Sequence, residues 1–250
     1  MRILLVNDDG YASYGIRRLA ERLAEKHDVT VIAPVRCNSG MAHAMTFGKP
    51  IFLKRIENYP TECYSLTGTP ADCVKLGLEY LKERPELVIS GVNTEPNIGT
   101  TVVYSGTAAA AMEAALDGVK AMAVSANPET ESDFDGVIEF FLAHFEMYLG
   151  MCSEKYALNI NINNHRIGNK AHKIVALGRR LFTDIYLVGD VDEKGVPHTL
   201  VGNPLEVEND VESDVYAYSE GYATITPLSS DHTDFVSLEA LKTDFPEGLG

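Results

Sequence analysis

The chain has 250 residues, 45% hydrophobic and 23% charged, ordinary values for a globular protein with room for one sizeable core. Acids outnumber Lys and Arg by 36 to 21, a formal charge of −15, and such a surface repels polyanions, so binding to nucleic-acid polymers is not expected. No apolar run reaches the roughly 18 residues of a membrane span, and the opening run that ends at Asp8 is too short for a signal peptide. The cysteines, Cys37, Cys63, Cys73 and Cys152, form no CxxC and no zinc spacing, so a cytoplasmic protein with reduced thiols and no membrane attachment is expected.

Residues 2–7 read as a buried strand, 16–27 as a helix on the stripe Ile16, Leu19, Ala20, Leu23 and Ala24, and 28–34 as a second strand. This β-α-β opening predicts a parallel sheet with crossover helices. A polar segment over 35–50 leads to short strands at 51–54 and 64–66. Thr69, Pro70 and Asp72 spell a helix start: Thr69 as N-cap, proline in the first turn, Asp72 closing a capping box. That helix is expected to reach about residue 83. Then come a strand at 87–90, a Gly/Asn-rich loop to 104, an Ala-rich helix over 105–116, a strand at 121–125, a helix over 133–149 and a strand at 157–162. From about 166 to 226 the pattern turns β-like, notably at 216–218 and 222–226, and a short helix and tail follow from about 233. The fold expected is α/β: a Rossmann-like, doubly wound, mostly parallel sheet in one domain over 1–250, with a core to about 163 and a β-rich extension from about 164.

Four polar loops fall at the carboxyl edge of this sheet, where doubly wound folds hold ligands. Asn7-Asp8-Asp9-Gly10 places two acids directly after the first strand; adjacent like charges favour a cation between them. Asn38-Ser39-Gly40 follows the second strand, and Ser90-Gly91-Val92-Asn93 runs out of a later one toward Asn97. Ser105-Gly106-Thr107 opens the Ala-rich helix, whose free N–H groups and dipole suit phosphate. Taken singly, these are turns and an N-cap. Taken together, Asp8, Asp9, Ser39 and Asn93 make an all-oxygen set that favours Mg²⁺ or Mn²⁺ over zinc. Neither a P-loop nor a dinucleotide fingerprint is present.

In this order the motifs resemble the SurE-type 5′/3′-nucleotidases, the stationary-phase survival proteins. The resemblance spans nearly the whole chain. It rests on Ile3 through Gly10, Ala33-Pro34, Ser39-Gly40, His43, Gly68-Thr69-Pro70-Ala71-Asp72-Cys73-Val74, Ser90-Gly91-Val92-Asn93 and Tyr104-Ser105-Gly106-Thr107. Asn159-Ile160-Asn161, Leu177-Gly178-Arg179-Arg180 and the stretch from Gly221 to Leu228 extend it. It implies a SurE-like fold with an extended hairpin and a C-terminal segment exchanged between subunits of a homodimer or homotetramer. It implies one divalent metal ion per subunit at Asp8, Asp9, Ser39 and Asn93, with phosphate held by Asn97, Ser105, Gly106 and Thr107. The implied reaction takes nucleoside monophosphates to nucleoside and phosphate, short polyphosphate being a further substrate of some members. Asp8 or Asp9 would orient a metal-activated water or take its proton.

Some positions depart from the family's pattern. Thr94-Glu95 stands where relatives often have Arg-Gly, Tyr14 where they have Pro, and Ala44 where they have Ser. Glu95 sets a negative charge beside the anion site and bears on substrate preference. Two other readings are an aspartyl-phosphate mechanism with Asp8 as nucleophile, for which no second DxD or paired Lys is seen, and a non-catalytic metal- or nucleotide-sensing module. His43 lies near the site, as acid–base or as a hydrogen-bonding group. His27, His165, His172 and His198 read as surface groups, Tyr216, Tyr218 and Tyr222 as sheet-face packing, and Glu206, Glu208, Asp210, Glu212 and Asp214 as a solvated acidic face.

Overall fold

The first strand, β1 (Arg2–Val6), sends Ile3 and Leu5 to one side of the sheet and Leu4 and Val6 to the other, all buried. A strand apolar on both faces belongs at the centre of a sheet covered on both sides. The computed structural model, which describes residues 1–166 and 171–244, places it there. After β1 come α1 (Tyr14–Leu23), β2 (Asp28–Pro34), β3 (Leu53–Arg55), β4 (Glu62–Leu66), α2 (Pro70–Tyr80) and β5 (Leu87–Asn93). A 3-10 turn (Gly99–Tyr104) precedes α3 (Gly106–Leu116), β6 (Lys120–Ser125), α4 (Glu131–Ala143), α5 (Phe145–Met151) and β7 (Ala157–Asn161). The remainder holds β8 (His172–Ile174), β9 (Ile185–Val188), β10 (His198–Val201), α6 (Asp214–Ser219), β11 (Ala223–Leu228) and α7 (Phe235–Asp244).

Among the described residues the main sheet has the order β3-β4-β2-β1-β5-β6-β7-β11-β8. The six strands from β4 to β7 are parallel to one another, β3 is antiparallel to β4, and β11 is antiparallel to β7 and parallel to β8. Ile16, Leu19, Ala20 and Leu23 of α1 pack with Val137, Ile138 and Phe141 of α4 against one face. Cys73 and Val74 of α2 and Ala110, Ala111 and Ala114 of α3 cover the other. Each fully buried aliphatic side chain in these layers contributes about 1.5–3 kcal/mol.

Local signals explain most boundaries. Thr69 and Asp72 form the expected capping box, Asp72 N donating to Thr69 Oγ1 at 3.1 Å and Thr69 N to Asp72 Oδ2 at 2.9 Å. Three expectations are corrected. The helix over 133–149 is two helices that break at His144 (φ −112°, ψ 10°), whose Nδ1–H takes the Phe140 carbonyl at 2.8 Å in place of the backbone N–H. Residues 216–218 are helical in α6, capped by the Ser213 hydroxyl, with Asp214 and Ala217 buried three apart on one face. The sheet does not end near residue 163, since β11 and β8 complete it. The expected tail over 245–250 lies outside the described residues.

Gly91 is where the fold tolerates no side chain. Its φ is +138°, and a Cβ would lie 2.3 Å from the Val124 carbonyl oxygen. The register of β5 on β6 shifts between Ser90 and Asn93, and such irregularities re-aim the side chains that follow. Gly91→Ala is expected to cost about 2–4 kcal/mol of stability. Denaturant unfolding measures it, and an unchanged midpoint would refute this account of β5.

Candidate active site

From the adjacent pair β1 and β5 the chain winds outward in opposite directions, β2 and β4 on one side, β6 and β7 on the other. The loops leaving β1 and β5 therefore diverge and open a crevice at their carboxyl ends. Asn7, fully buried, shapes the first loop. Its Nδ2 donates to the Gly10 carbonyl at 3.0 Å and to Ser13 Oγ at 2.9 Å, and its Oδ1 accepts from Gly10 N at 3.1 Å. Gly10 sits at φ +99°, a turn conformation glycine allows without strain. Asp8 is buried, and its Oδ1 accepts a 2.6 Å hydrogen bond from Thr107 Oγ1. Gly106 presses on the same carboxylate, since a Cβ there would lie 3.1 Å from Asp8 Cβ. The second loop joins through Asn38 N, which donates to the Asp8 carbonyl at 2.7 Å.

Asp8, Ser39, Asn93, Asn97 and Ser105 line one cleft of about 300 Å³, together with Glu95, Tyr104, Arg180 and Phe182. Asp9, Gly106 and Thr107 are not among its lining residues. The Thr107 hydroxyl hydrogen is already given to Asp8, so Thr107 positions a carboxylate and is not a free phosphate donor. Ser105 Oγ caps α3 by accepting from Ala108 N at 2.9 Å and keeps its own hydrogen to donate. Asn97 is pinned on three sides. Its N donates to Asn161 Oδ1 at 2.7 Å, its carbonyl accepts from Asn159 Nδ2 at 2.8 Å, and its Nδ2 donates to Ser125 Oγ at 3.0 Å. His43 is not in the lining. Its Nε2 meets buried Glu113 at 2.8 Å, and Glu113 pairs with Lys75 at 3.0 Å, so His43 holds the loop that carries Ser39.

Several residues act where composition had suggested surface. Asp214 is no part of a solvated face. It is fully buried, and its two oxygens accept from Gly99 N at 2.9 Å and Gly178 N at 2.7 Å. The only hint in the sequence was a Ser-Asp pair at a helix start, which the acidic run masked. His172, read as a surface group, is partly buried, stacks on Phe140 and meets the Tyr148 hydroxyl at 2.7 Å.

The electrostatics point to a cation. Burial raises the Asp8 pKa, against the lowering effect of the Thr107 hydrogen bond. Burial, then Asp8, then Glu95 push Asp9 up to about 6. Asp9 Oδ2 is buried with no hydrogen-bond partner. Two adjacent acids with an unpartnered buried oxygen are what a divalent ion would relieve. Among the described residues no group of three or more His, Cys, Asp and Glu could hold a metal. A cation at Asp8 and Asp9 therefore calls on neutral oxygens, and Ser39 Oγ and Asn93 Oδ1 suit that. Asn93 Nδ2 is turned to the Glu95 carbonyl at 2.6 Å, which leaves Oδ1 as the acceptor, and Ser39 Oγ lies 3.0 Å from Cys37 Sγ on the exposed lip. The donor set fits the metal that the motifs imply.

The family described as Survival protein SurE matches residues 3–184. The chain belongs to the SurE family. A protein named 5′-nucleotidase SurE from Thermoanaerobacter sp. (strain X514) is 38% identical over 247 residues, covering 97% of this chain and 98% of the relative. One of the same name from Synechococcus sp. (strain JA-3-3Ab) is 39% identical over 251 residues, covering 97% and 96%. The crystal structure of the Sure protein from Aquifex aeolicus superposes with a TM-score of 0.80 at 32% identity, covering 97% of this chain and 99% of that one. The resemblance drawn from motifs and the doubly wound α/β fold are both borne out.

A metal effect on stability follows from Asp9. Its pKa is raised from 3.8 to about 6 in the fold, so without metal its contribution to stability is complete below 3.8 and lost as pH rises through about 6. A bound ion compensates that loss. Mg²⁺ or Mn²⁺ is expected to raise the melting temperature more at pH 7.5 than at pH 5, and Asp9→Asn is expected to shrink the difference. Thermal scans of the metal-free and metal-loaded protein at both pH values decide it, and an equal rise at both would refute the assignment.

Proposed function

We propose that this SurE-family chain is a metal-dependent phosphomonoesterase that hydrolyses nucleoside 5′-monophosphates to nucleoside and phosphate, with Asp8, Asp9, Ser39 and Asn93 holding one Mg²⁺ or Mn²⁺. The observation that carries this reading is the adjacent pair of buried Asp8 and partly buried Asp9, one Asp9 oxygen buried and unpartnered, at the switch point, with Asp8 against the first turn of α3. The relatives named 5′-nucleotidase supply the substrate class. When bound, the ion supplies positive charge against the phosphoryl oxygens and lowers the pKa of water. Asp8, fixed by Thr107, and its neighbour Asp9 orient the attacking water and take up its proton. The water oxygen bonds to phosphorus as the P–O bond to the nucleoside breaks, and the nucleoside oxygen takes up the proton that the carboxylate removed from water and leaves as a free hydroxyl. Asn97, the Ser105 hydroxyl and the Gly106 amide hold the remaining oxygens at the positive end of α3. The gain in rate is positioning and electrostatics. Nucleoside 3′-monophosphates and short polyphosphate are further substrates in this reading.

No helix of the described residues is long and apolar enough to cross a membrane, and we place the enzyme in the cytoplasm. As a partner we propose a second copy of the chain, in a homodimer or homotetramer. On the hairpin β9–β10, Ile185, Tyr186, Leu187 and Val188 are 53–65% exposed, and α7 buries none of its residues. Apolar surface of this kind calls for a covering partner.

A chelator is expected to abolish phosphate release from a nucleotide panel, and Mg²⁺ or Mn²⁺ to restore it; full activity after metal removal would refute the reading. Asp8→Asn and Asp9→Asn are each expected to lose roughly a hundredfold or more in kcat/KM with an unchanged circular dichroism spectrum. Near-normal turnover by either variant would remove that residue from the site.

Light scattering is expected to give a dimer or tetramer at micromolar concentration, shifted toward monomer by Leu187→Asp. A monomeric wild type would contradict the role given to the hairpin.

A further inference from the structure

The cleft has a cation that the ligand set above does not use. Arg180 lines it, and among the lining residues Arg180 alone is basic, beside the acids Asp8 and Glu95. Three other arginines of this acidic chain find carboxylates: Arg2 meets Glu86, Arg18 meets Asp135, and Arg22 meets Glu25 and Glu139. Arg180 pairs with no carboxylate among the described residues. One guanidinium nitrogen donates to the Pro96 carbonyl at 3.3 Å, and the group lies 5.3 Å above the Phe182 ring. Of its five N–H donors, most remain unspent.

The backbone that carries Arg180 is locked. Asp214 joins Gly178 N to Gly99 N, Asn209 Oδ1 accepts from Arg179 N at 2.7 Å, and Arg180 N donates to Thr100 Oγ1 at 3.2 Å. Thr100 Oγ1 also contacts the Arg180 carbonyl. Gly99 leaves no room to loosen the joint, since a Cβ there would lie 2.9 Å from Val215 Cγ2. A partly buried guanidinium held rigidly in a cleft with its donors open is prepared for an anion. The cleft also needs such a group, because the Thr107 hydroxyl is given to Asp8.

Resting on the phosphomonoesterase reading, we propose that Arg180 binds the phosphate group of the substrate across the cleft from α3, with Phe182 and the Asp214 joint holding it there. The chemical class recognised is a phosphate monoester dianion, through its phosphate and not its base. Glu95, on the same cleft, then makes Arg180 the group that offsets repulsion of the incoming dianion.

The test compares wild type, Arg180→Met and Arg180→Lys with Mg²⁺ present, on adenosine 5′-monophosphate and on a simple aryl phosphate. Arg180→Met keeps the stem over Phe182 and is expected to weaken kcat/KM about tenfold or more on both substrates. Inhibition by inorganic phosphate weakens to match, and Arg180→Lys recovers part of the loss. The rise in melting temperature on adding Mg²⁺ stays as in wild type, which a general loss of structure would not leave intact. A loss confined to the nucleotide would move Arg180 to the nucleoside and overturn the proposal, as would unchanged kinetics in Arg180→Met. Calorimetric binding of inorganic phosphate separates this from the reading beneath it. If wild type turns over no phosphate ester, the phosphomonoesterase reading fails, and equal phosphate affinity in wild type and Arg180→Met then overturns the role of Arg180 as well.

Discussion

Asp8 and Asp9 are neighbouring carboxylates placed where little water reaches them, and the surrounding structure is arranged around that burden. Burial raises the pKa of both, and the Asp8 charge raises that of Asp9 further. The fold answers with fixed dipoles. Thr107 gives its hydroxyl hydrogen to Asp8, α3 points its positive end at the pair, and Gly106 lacks the Cβ that would hold the helix away. These devices steady Asp8 and leave Asp9 with an unpartnered oxygen. A cation held there as proposed would complete the site, and metal binding and folding would then be linked in the same two residues.

A second arrangement fixes the opposite wall. The loop after β5 carries Asn93, Glu95 and Asn97, and loops that carry function need a rigid scaffold. Here the scaffold comes from late in the chain. Asn159 and Asn161 on β7 grip the backbone of Asn97, and Asp214 at the start of α6 grips Gly99. The segment after residue 163 is therefore part of the site's architecture and not an appendage. Its β11 completes the sheet, and its buried carboxylate ties the loop bearing Arg180 to the loop bearing Asn97. Gly178 is confined at that joint, since a Cβ there would lie 2.5 Å from Asn209 Oδ1.

What could be read from the sequence was what local chemistry decides. The two-sided apolar run of β1, the Thr69–Asp72 capping box and the Ser105 cap are short-range patterns, and each is found where the pattern puts it. The cleft's lining was legible for the same reason: Asp8, Ser39, Asn93, Asn97 and Ser105 sit at strand ends and a helix start, and strand order alone brings such positions together. What was not legible depends on distant partners. Asp214 looks like one more surface acid until Gly99 and Gly178 are seen to need an acceptor. The break at His144 depends on where one ring nitrogen points. Thr107 reads as a phosphate donor until Asp8, 99 residues earlier, claims its hydrogen. In each case the residue type was informative and its partner was not, because hydrogen-bond partners far apart in sequence leave no periodicity.

The overall charge of −15 does not exclude an anionic substrate, because surface and cleft act on different scales. Exposed charges farther apart than a Debye length, about 8 Å in physiological salt, are largely screened, whereas groups within a cleft are screened far less. The surface acids therefore govern solubility and the rejection of polyanions, which must lie along many of them at once. A small dianion meets the cleft alone. There the balance turns on few groups: α3's first turn, Arg180 and the proposed divalent ion on the positive side, with Asp8, Asp9 and Glu95 on the negative. Without the ion the acids prevail, and a phosphate ester has little reason to enter. With the ion held as proposed, the carboxylates would become its ligands and cease to repel the ester. On the proposed assignment the same acids would reject the substrate in the metal-free state and admit it in the loaded state, so metal occupancy, and not surface charge, would gate binding.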